Sequence, residues 1–166
     1  MDLVFDLHYR NDFDTGLLSH STKNGYFWKV YGEINKKQII MNVPDNLKYT
    51  KDHEWLRIEN NEAIVGITDF AQAELGDIVF VEIETEGEKL EREEVFGTIE
   101  AVKTVSDMFM PLSGEVLEVN PKLEDNPDVI NKDPYGDGWM IKISIDKPEE
   151  LDNLLTADQY KELINA

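Results

Sequence analysis

The sequence predicts a mainly β fold of two small antiparallel sheets, with a short helix after the first strands and helices at the C-terminal end. Two observations predict the sheets. Strand-like apolar runs bounded by turn residues recur from Trp55 to Ile145. One pattern also occurs twice: Gly76-Asp77-Ile78-Val79-Phe80-Val81 returns as Gly114-Glu115-Val116-Leu117-Glu118-Val119, 38 residues on. Each copy is followed, after a turn-rich spacer, by another strand, over 95–102 in the first and 139–145 in the second. Two like β units are expected to form a quasi-symmetric pair of sheets packed face to face.

The elements follow in order. Residues 55–58 and 63–67 read as two strands joined around Asn60-Asn61. A short helix comes next. Thr68 or Asp69 caps it, Asp69 and Gln72 have capping-box spacing, and Gly76 stops it. Phe70, Ala73 and Leu75 supply its apolar positions. Strands then cover 78–83 and 95–102, with a turn near Glu86-Gly87, and 108–112 and 114–119 are extended. Residues 120–138 hold three prolines and much Asn and Asp, which reads as a long loop. Residues 139–145 alternate as a strand. Pro148 suits the first turn of a helix, with Glu149 and Glu150 favourably placed against its dipole. Thr156 with Gln159 starts a second helix, whose Tyr160, Leu163 and Ile164 face inward.

Met41 divides the chain. Residues 1–40 carry five acids and five bases, whereas the remainder carries 30 acids and 11 bases. The whole net charge of −19 therefore sits after Met41. Such a surface repels phosphate backbones and anionic lipid, favours solubility, and steers toward partners with basic faces. Neither nucleic acid nor membrane is an expected partner. Residues 1–40 read as a loosely ordered extension, or as translated leader ahead of a start at Met41, with one short strand near 24–31. Residues 41–166 read as the functional domain.

The first residues lack the features of a secretory signal or an organelle transit peptide. No apolar run approaches membrane-spanning length. The expected location is a bacterial cytoplasm rather than a mitochondrial matrix. The absence of cysteine excludes disulfides, thiolate metal sites and a cysteine nucleophile. Any thiol chemistry must come from an attached group. No nucleophile–base pair, phosphate loop or metal motif supports an enzyme. His53 lies between Asp52 and Glu54, but no second histidine follows Met41, so a structural role is expected rather than a metal site.

Lys103 stands at the end of an apolar strand where the chain should reverse. A swinging arm needs that placement, because the amine must project from a rigid turn to be reached by several partners. By spacing alone, a solvated turn lysine is the commoner explanation. The turn also lacks the Asn-Gly or Asp-Gly signal of a two-residue hairpin.

The run Phe96-Gly97-Thr98-Ile99-Glu100-Ala101-Val102-Lys103-Thr104-Val105-Ser106-Asp107, followed by Pro111-Leu112-Ser113-Gly114-Glu115-Val116, resembles the lipoyl-attachment region of glycine cleavage H proteins. So do Leu47-Lys48-Tyr49 with His53-Glu54-Trp55, Gly66-Ile67-Thr68-Asp69-Phe70-Ala71-Gln72, and Leu75-Gly76-Asp77-Ile78-Val79. Asp133-Pro134-Tyr135-Gly136-Asp137-Gly138-Trp139-Met140 is similar to the family's late loop and strand. The resemblance runs in order from about Met41 to Ile164 and leaves residues 1–40 unmatched. It departs at Ala101, often Ser in the family, and Thr104, often Ala.

This resemblance implies a lipoyl-domain-like barrel-sandwich and a non-catalytic, monomeric carrier. It implies lipoate joined to Lys103 by a ligase or transferase, as an arm reaching roughly 14 Å from the backbone. The arm would visit a glycine decarboxylase (P protein), an aminomethyltransferase (T protein) and a dihydrolipoyl dehydrogenase (L protein). By the same carry-over, Glu100 helps the lipoylating enzyme recognise its target. Glu54 pairs with the amine of the loaded arm, and the Asp107 backbone accepts a hydrogen bond from it. The plain readings are a polar strand position for Glu100 and a solvated edge acid for Glu54. An H-like lipoate relay and an acidic non-catalytic interaction module are the alternatives. A biotin carrier usually flanks its lysine with methionines, and Lys103 has Val102 and Thr104.

Overall fold

The computed structural model describes residues 41–165, so the expectations for residues 1–40 lie outside it. Nine strands form two antiparallel sheets among these residues. The larger sheet contains β1 (Lys48–Tyr49), β2 (Glu54–Glu59), β3 (Glu62–Ile67), β5 (Lys89–Leu90), β8 (Gly114–Val119) and β9 (Ile141–Ser144). Its order is β1-β2-β3-β9-β8-β5. The smaller sheet is β4-β6-β7, from Ile78–Glu82, Val95–Ala101 and Val105–Phe109. Both are open sheets, and no closed barrel forms among the described residues.

One apolar core joins them. Ile78, Val81, Phe96, Ile99 and Met108 of the small sheet meet Leu56, Val65, Val116, Ile141 and Ile143 of the large one, all buried. Each such side chain contributes about 1.5–3 kcal/mol by leaving water. A second cluster covers the outer side of β1 and β2, where Tyr49 and Trp55 pack with Tyr160 of α4 (Ala157–Leu163). The start of β2 is therefore buried on both faces, which is why Trp55 and Leu56, consecutive residues, are both inaccessible.

The repeated pattern maps onto the sheets as expected. The first copy contains β4, which pairs antiparallel with β6; the second forms β8, which pairs antiparallel with β9. The correspondence extends to a defect. The β4–β6 register shifts between Ile78 and Phe80, and the β8–β9 register shifts between Val116 and Glu118. These positions are equivalent in the 38-residue repeat. A bulge at the same place in both units is a feature of the unit's geometry, not an accident of one strand.

The helix signals also hold. Thr68, rather than Asp69, caps α1 (Asp69–Leu75), accepting from the Ala71 amide at 3.2 Å. Gln72 instead bonds the Asp69 carbonyl and carboxylate. Gly76 ends α1 at φ +81°, a left-handed value that glycine adopts without strain. Thr156 and Gln159 form a full capping box at α4.

Several expectations need correction. Residues 120–138 are not a featureless loop: they contain two one-turn helices, α2 (Lys122–Asp125) and α3 (Val129–Lys132). Each buries a single anchor, Leu123 or Ile130, a pattern too short to show periodicity. The 148–153 segment is a 3-10 helix, not an α-helix. Leu75 packs inward as expected, but Ala73 is exposed and Ala71 packs inward in its place. Leu163 is 46 % exposed rather than inward, because Tyr160 and Ile164 already occupy the packed side of α4. The last strand begins at Ile141, since Trp139 and Met140 still belong to the approach from the loop.

Gly114 begins β8 where the sheet backbones approach closely. A Cβ there would stand 2.0 Å from the Ser144 carbonyl oxygen. Gly114→Ala is expected to destabilise the protein by about 3 kcal/mol, because the obstacle is backbone and cannot rotate away. Urea unfolding monitored by tryptophan fluorescence checks this, with a lowered midpoint and unchanged slope as the expected result.

Candidate functional site

Lys103 lies at the apex of the β6–β7 hairpin. Ala101 and Thr104 exchange both backbone hydrogen bonds, at 2.8 and 3.3 Å, leaving Val102 and Lys103 as a two-residue loop. Neither loop residue has positive φ. The turn therefore needs no Asn or Gly, which explains why the usual hairpin signal is missing. The Val102 amide donates to the Asp77 carbonyl at 3.0 Å, tying the loop to the start of β4. Lys103 is exposed, and no ion pair among the described residues includes it. Its amine is thus carried on a stiff support and open to a modifying enzyme.

Glu100 precedes the turn on β6, exposed, and pairs across the sheet with Phe80 on one side and Val105 on the other. Asp107 follows on β7, opposite Thr98. Since Ala101 and Thr104 are a hydrogen-bonded pair, alternation makes Thr98 and Asp107 a non-bonded one. Strand β7 is an edge, so the Asp107 amide and carbonyl face away from β6 and toward open space. Four residues of extended chain separate Lys103 from Asp107, about 13 Å.

Glu54 belongs to the other sheet. It is only 4 % exposed, so it is not a solvated edge acid. It lines a cleft of about 280 Å³ together with Thr50, Arg92, Phe109, Pro111 and Leu154. Phe109 ends β7, two residues beyond Asp107, so the edge strand leads from the lysine hairpin to the cleft. The structure thus groups Lys103 with Glu100, and brings Glu54 to the far end of the strand that carries Asp107. The sequence did not point to Arg92, Phe109 or Leu154 as cleft walls, and no local pattern marks them.

Burial pushes the Glu54 carboxyl up to about 7. The Thr50 hydroxyl, which donates to Glu54 Oε2, and the backbone amides of Glu54 and Phe109 pull in the opposite direction without cancelling it. The charged form is therefore under-compensated by the residues around it, and a cation brought there would be held by a charge-assisted bond.

Adjacent His53 is held differently. It adopts φ +72°, an uncommon value for a non-glycine residue. The Nδ1 atom bonds the Tyr160 hydroxyl at 2.8 Å, and that hydroxyl bonds Thr68 Oγ1 at 2.8 Å. Burial lowers the imidazole's pKa. This chain fastens α4 to the β2 turn and so fixes the backbone from which Glu54 projects. The histidine has the structural role that its isolation in the sequence suggested.

A pH dependence follows from the raised Glu54 value. Between about 4.5 and 7 the native carboxyl holds a proton that the unfolded one has released, so stability falls as pH rises through this window. Glu54→Gln should lack that loss and exceed the wild type above pH 7, by up to about 3 kcal/mol. Urea midpoints from pH 4.5 to 8 for both proteins measure it; parallel curves would contradict the burial argument.

Comparison with known proteins agrees with this geometry. The family described as glycine cleavage H-protein matches residues 47–166. A glycine cleavage system H protein of Bacteroides fragilis is 62 % identical over 126 residues, covering 76 % of this chain and 100 % of that protein. One from Salinibacter ruber is 59 % identical over 123 residues, covering 74 % and 99 %. The crystal structure of a glycine cleavage system H protein from Mycobacterium marinum superposes with a TM-score of 0.67 at 37 % identity, covering 75 % of this chain and 100 % of that one. Sequence, fold and the exposed hairpin lysine converge: the chain belongs to the glycine cleavage H-protein family.

Proposed function

We propose that this chain is the lipoyl carrier of the glycine cleavage system, with lipoate joined as an amide to Lys103 and residues 41–166 as the carrier domain. The observation that carries the reading is the path in the fold. An exposed amine tops a two-residue hairpin, and the free edge of β7 leads from it to a cleft holding a buried carboxylate. The residues fit the group. An arm of roughly 14 Å covers the run of about 13 Å from Lys103 to Asp107, and the group it carries extends from there toward the cleft.

Lys103 would hold the lipoyl group, whose disulfide would supply the sulfur acceptor and redox chemistry needed between the P, T and L proteins. This chain's residues position and shelter. Lys103 gives the arm its fixed origin and a high effective concentration. Glu54 accepts hydrogen bonds from the arm's ammonium, and the outward Asp107 carbonyl offers a second acceptor. Phe109, Pro111 and Leu154 exclude water around the labile end. Glu100 supports recognition by the lipoate ligase or lipoyl transferase. The carrier acts as a monomer and, as its bacterial relatives suggest, in a bacterial cytoplasm. An H-like lipoate relay would need the hairpin but not a buried carboxylate placed for an amine, so the cleft favours the glycine carrier.

Intact-protein mass spectrometry with peptide mapping tests the attachment. Lipoylation is expected on Lys103 and is lost in Lys103→Arg. Glycine–bicarbonate exchange with the P protein then separates the glycine carrier from the relay; a lipoylated chain that supports no exchange would sink the proposal. Glu54→Gln should release the aminomethyl group about tenfold faster at pH 8, with lipoylation unchanged. The gap between the two proteins should narrow as pH falls through the carboxyl's titration, which the adjacent ammonium places below the unpaired value of about 7. Equal lifetimes at pH 8 would remove Glu54 from the mechanism.

A further inference from the structure

The outer face of the small sheet exposes several large apolar side chains around the lysine. Phe80 pairs directly with Glu100, and Glu100 with Val105, so the three side chains form one row across three strands. Phe80 is 51 % exposed and Val105 is 65 % exposed. Val102, beside Lys103 at the tip, is 69 % exposed. Strict alternation from the buried Ile78 would turn Phe80 into the core. The bulge at Val79 prevents this and turns both Val79 and Phe80 outward.

The second unit shows that the fold does not require an aromatic there. Its equivalent of Phe80 is Glu118, also outward after the matching bulge and paired with Lys142. The same geometry thus presents a charged pair in one unit and a phenyl ring in the other, and the ring lies on the unit that bears Lys103. Glu100 within the row and Glu82 and Asp107 beside it are all exposed, and strands β4, β6 and β7 contain no Lys or Arg.

We propose that Phe80, Val102 and Val105, around Glu100, form the docking surface for the enzyme that acylates Lys103, a partner with an apolar contact ringed by basic side chains. Reach selects this partner over the others. Enzymes acting on the arm's sulfurs work roughly 14 Å from the backbone and need not touch the hairpin face. The acylating enzyme must bring its reacting carbon to Nζ itself, so its surface lies against the residues beside Lys103. There Nζ attacks the carbonyl of lipoyl adenylate, formed from lipoate and ATP. The N–C bond forms, the bond to AMP breaks, and Nζ loses a proton. Exposed aromatic and aliphatic anchors supply contact energy, and the acidic surround supplies orientation toward a basic rim. The inference rests on the reading of Lys103 as the lipoylated residue.

The test uses the full chain with lipoate, ATP and a bacterial lipoate ligase, followed by intact mass. Phe80→Thr and Val105→Thr keep strand propensity at exposed sites, and unchanged thermal midpoints establish that they fold. Each should lower the lipoylation rate about tenfold through KM. Unlipoylatable Lys103→Arg should compete with the wild type, and adding Phe80→Thr to it should weaken that inhibition about tenfold. Once fully lipoylated by prolonged reaction, the Phe80→Thr protein should have its arm disulfide reduced by NADH through dihydrolipoyl dehydrogenase, run in reverse, at the wild-type rate. Unchanged lipoylation, or equal loss in both assays, overturns the proposal. A wild-type chain that acquires no lipoyl group instead overturns the underlying carrier assignment.

Discussion

The apolar contact between the two sheets fixes everything that the site depends on. Lys103 belongs to the three-stranded sheet and Glu54 to the six-stranded one. No strand runs between the sheets, so their relation is set by interlocking side chains such as Phe96, Ile99 and Met108 against Leu56, Val65 and Ile141. Well-packed apolar surfaces resist sliding, because any shift opens voids or forces overlaps. The distance between the Lys103 hairpin and the Glu54 cleft can therefore stay constant without a direct bond between them. The hairpin's own closure at Ala101 and Thr104 then transmits that rigidity to the tip.

Within this frame Glu54 is a costly residue. Its carboxyl is removed from water and only partly compensated by Thr50 and backbone amides. A solitary buried acid weakens the native state above its raised pKa, so stability alone does not account for it. The same under-compensation makes it a good acceptor for an incoming ammonium. The His53–Tyr160–Thr68 chain keeps the supporting turn in a backbone conformation that few non-glycine residues adopt. Structure at the C-terminal end of the chain thus holds a turn near residue 53 in position.

The duplicated unit gives the molecule its economy of design. Both copies supply a glycine start, a bulged strand and an antiparallel partner, and their side chains face one another across the core. The units differ most visibly in what the outer surface carries. One unit carries an exposed phenyl ring and the Lys103 hairpin, while the other places Glu118 opposite Lys142 in the register. The bulge common to both decides which side chains reach solvent, independently of their chemistry.

The sequence alone determined the longer strands, the two helix starts, the repeat and the chain reversal at Lys103, but not the short strands β1 and β5 or the order of strands in the sheets. Each feature so determined is written in neighbours a few residues apart, through alternation, capping oxygens and turn formers. Lys103 could be located there, but its meaning came from resemblance, since a turn lysine has no local signature of function. Tertiary structure decided the rest. The one-turn helices of residues 120–138 exist because Leu123 and Ile130 find a core to enter, which no local pattern records. Glu54 looks like an edge acid until Phe109 and Leu154, distant in the chain, close around it. Phe80 fits a core position by alternation and faces solvent only because a register shift intervenes. Burial and direction depend on which distant segments meet, and that is settled by the packing of the two sheets.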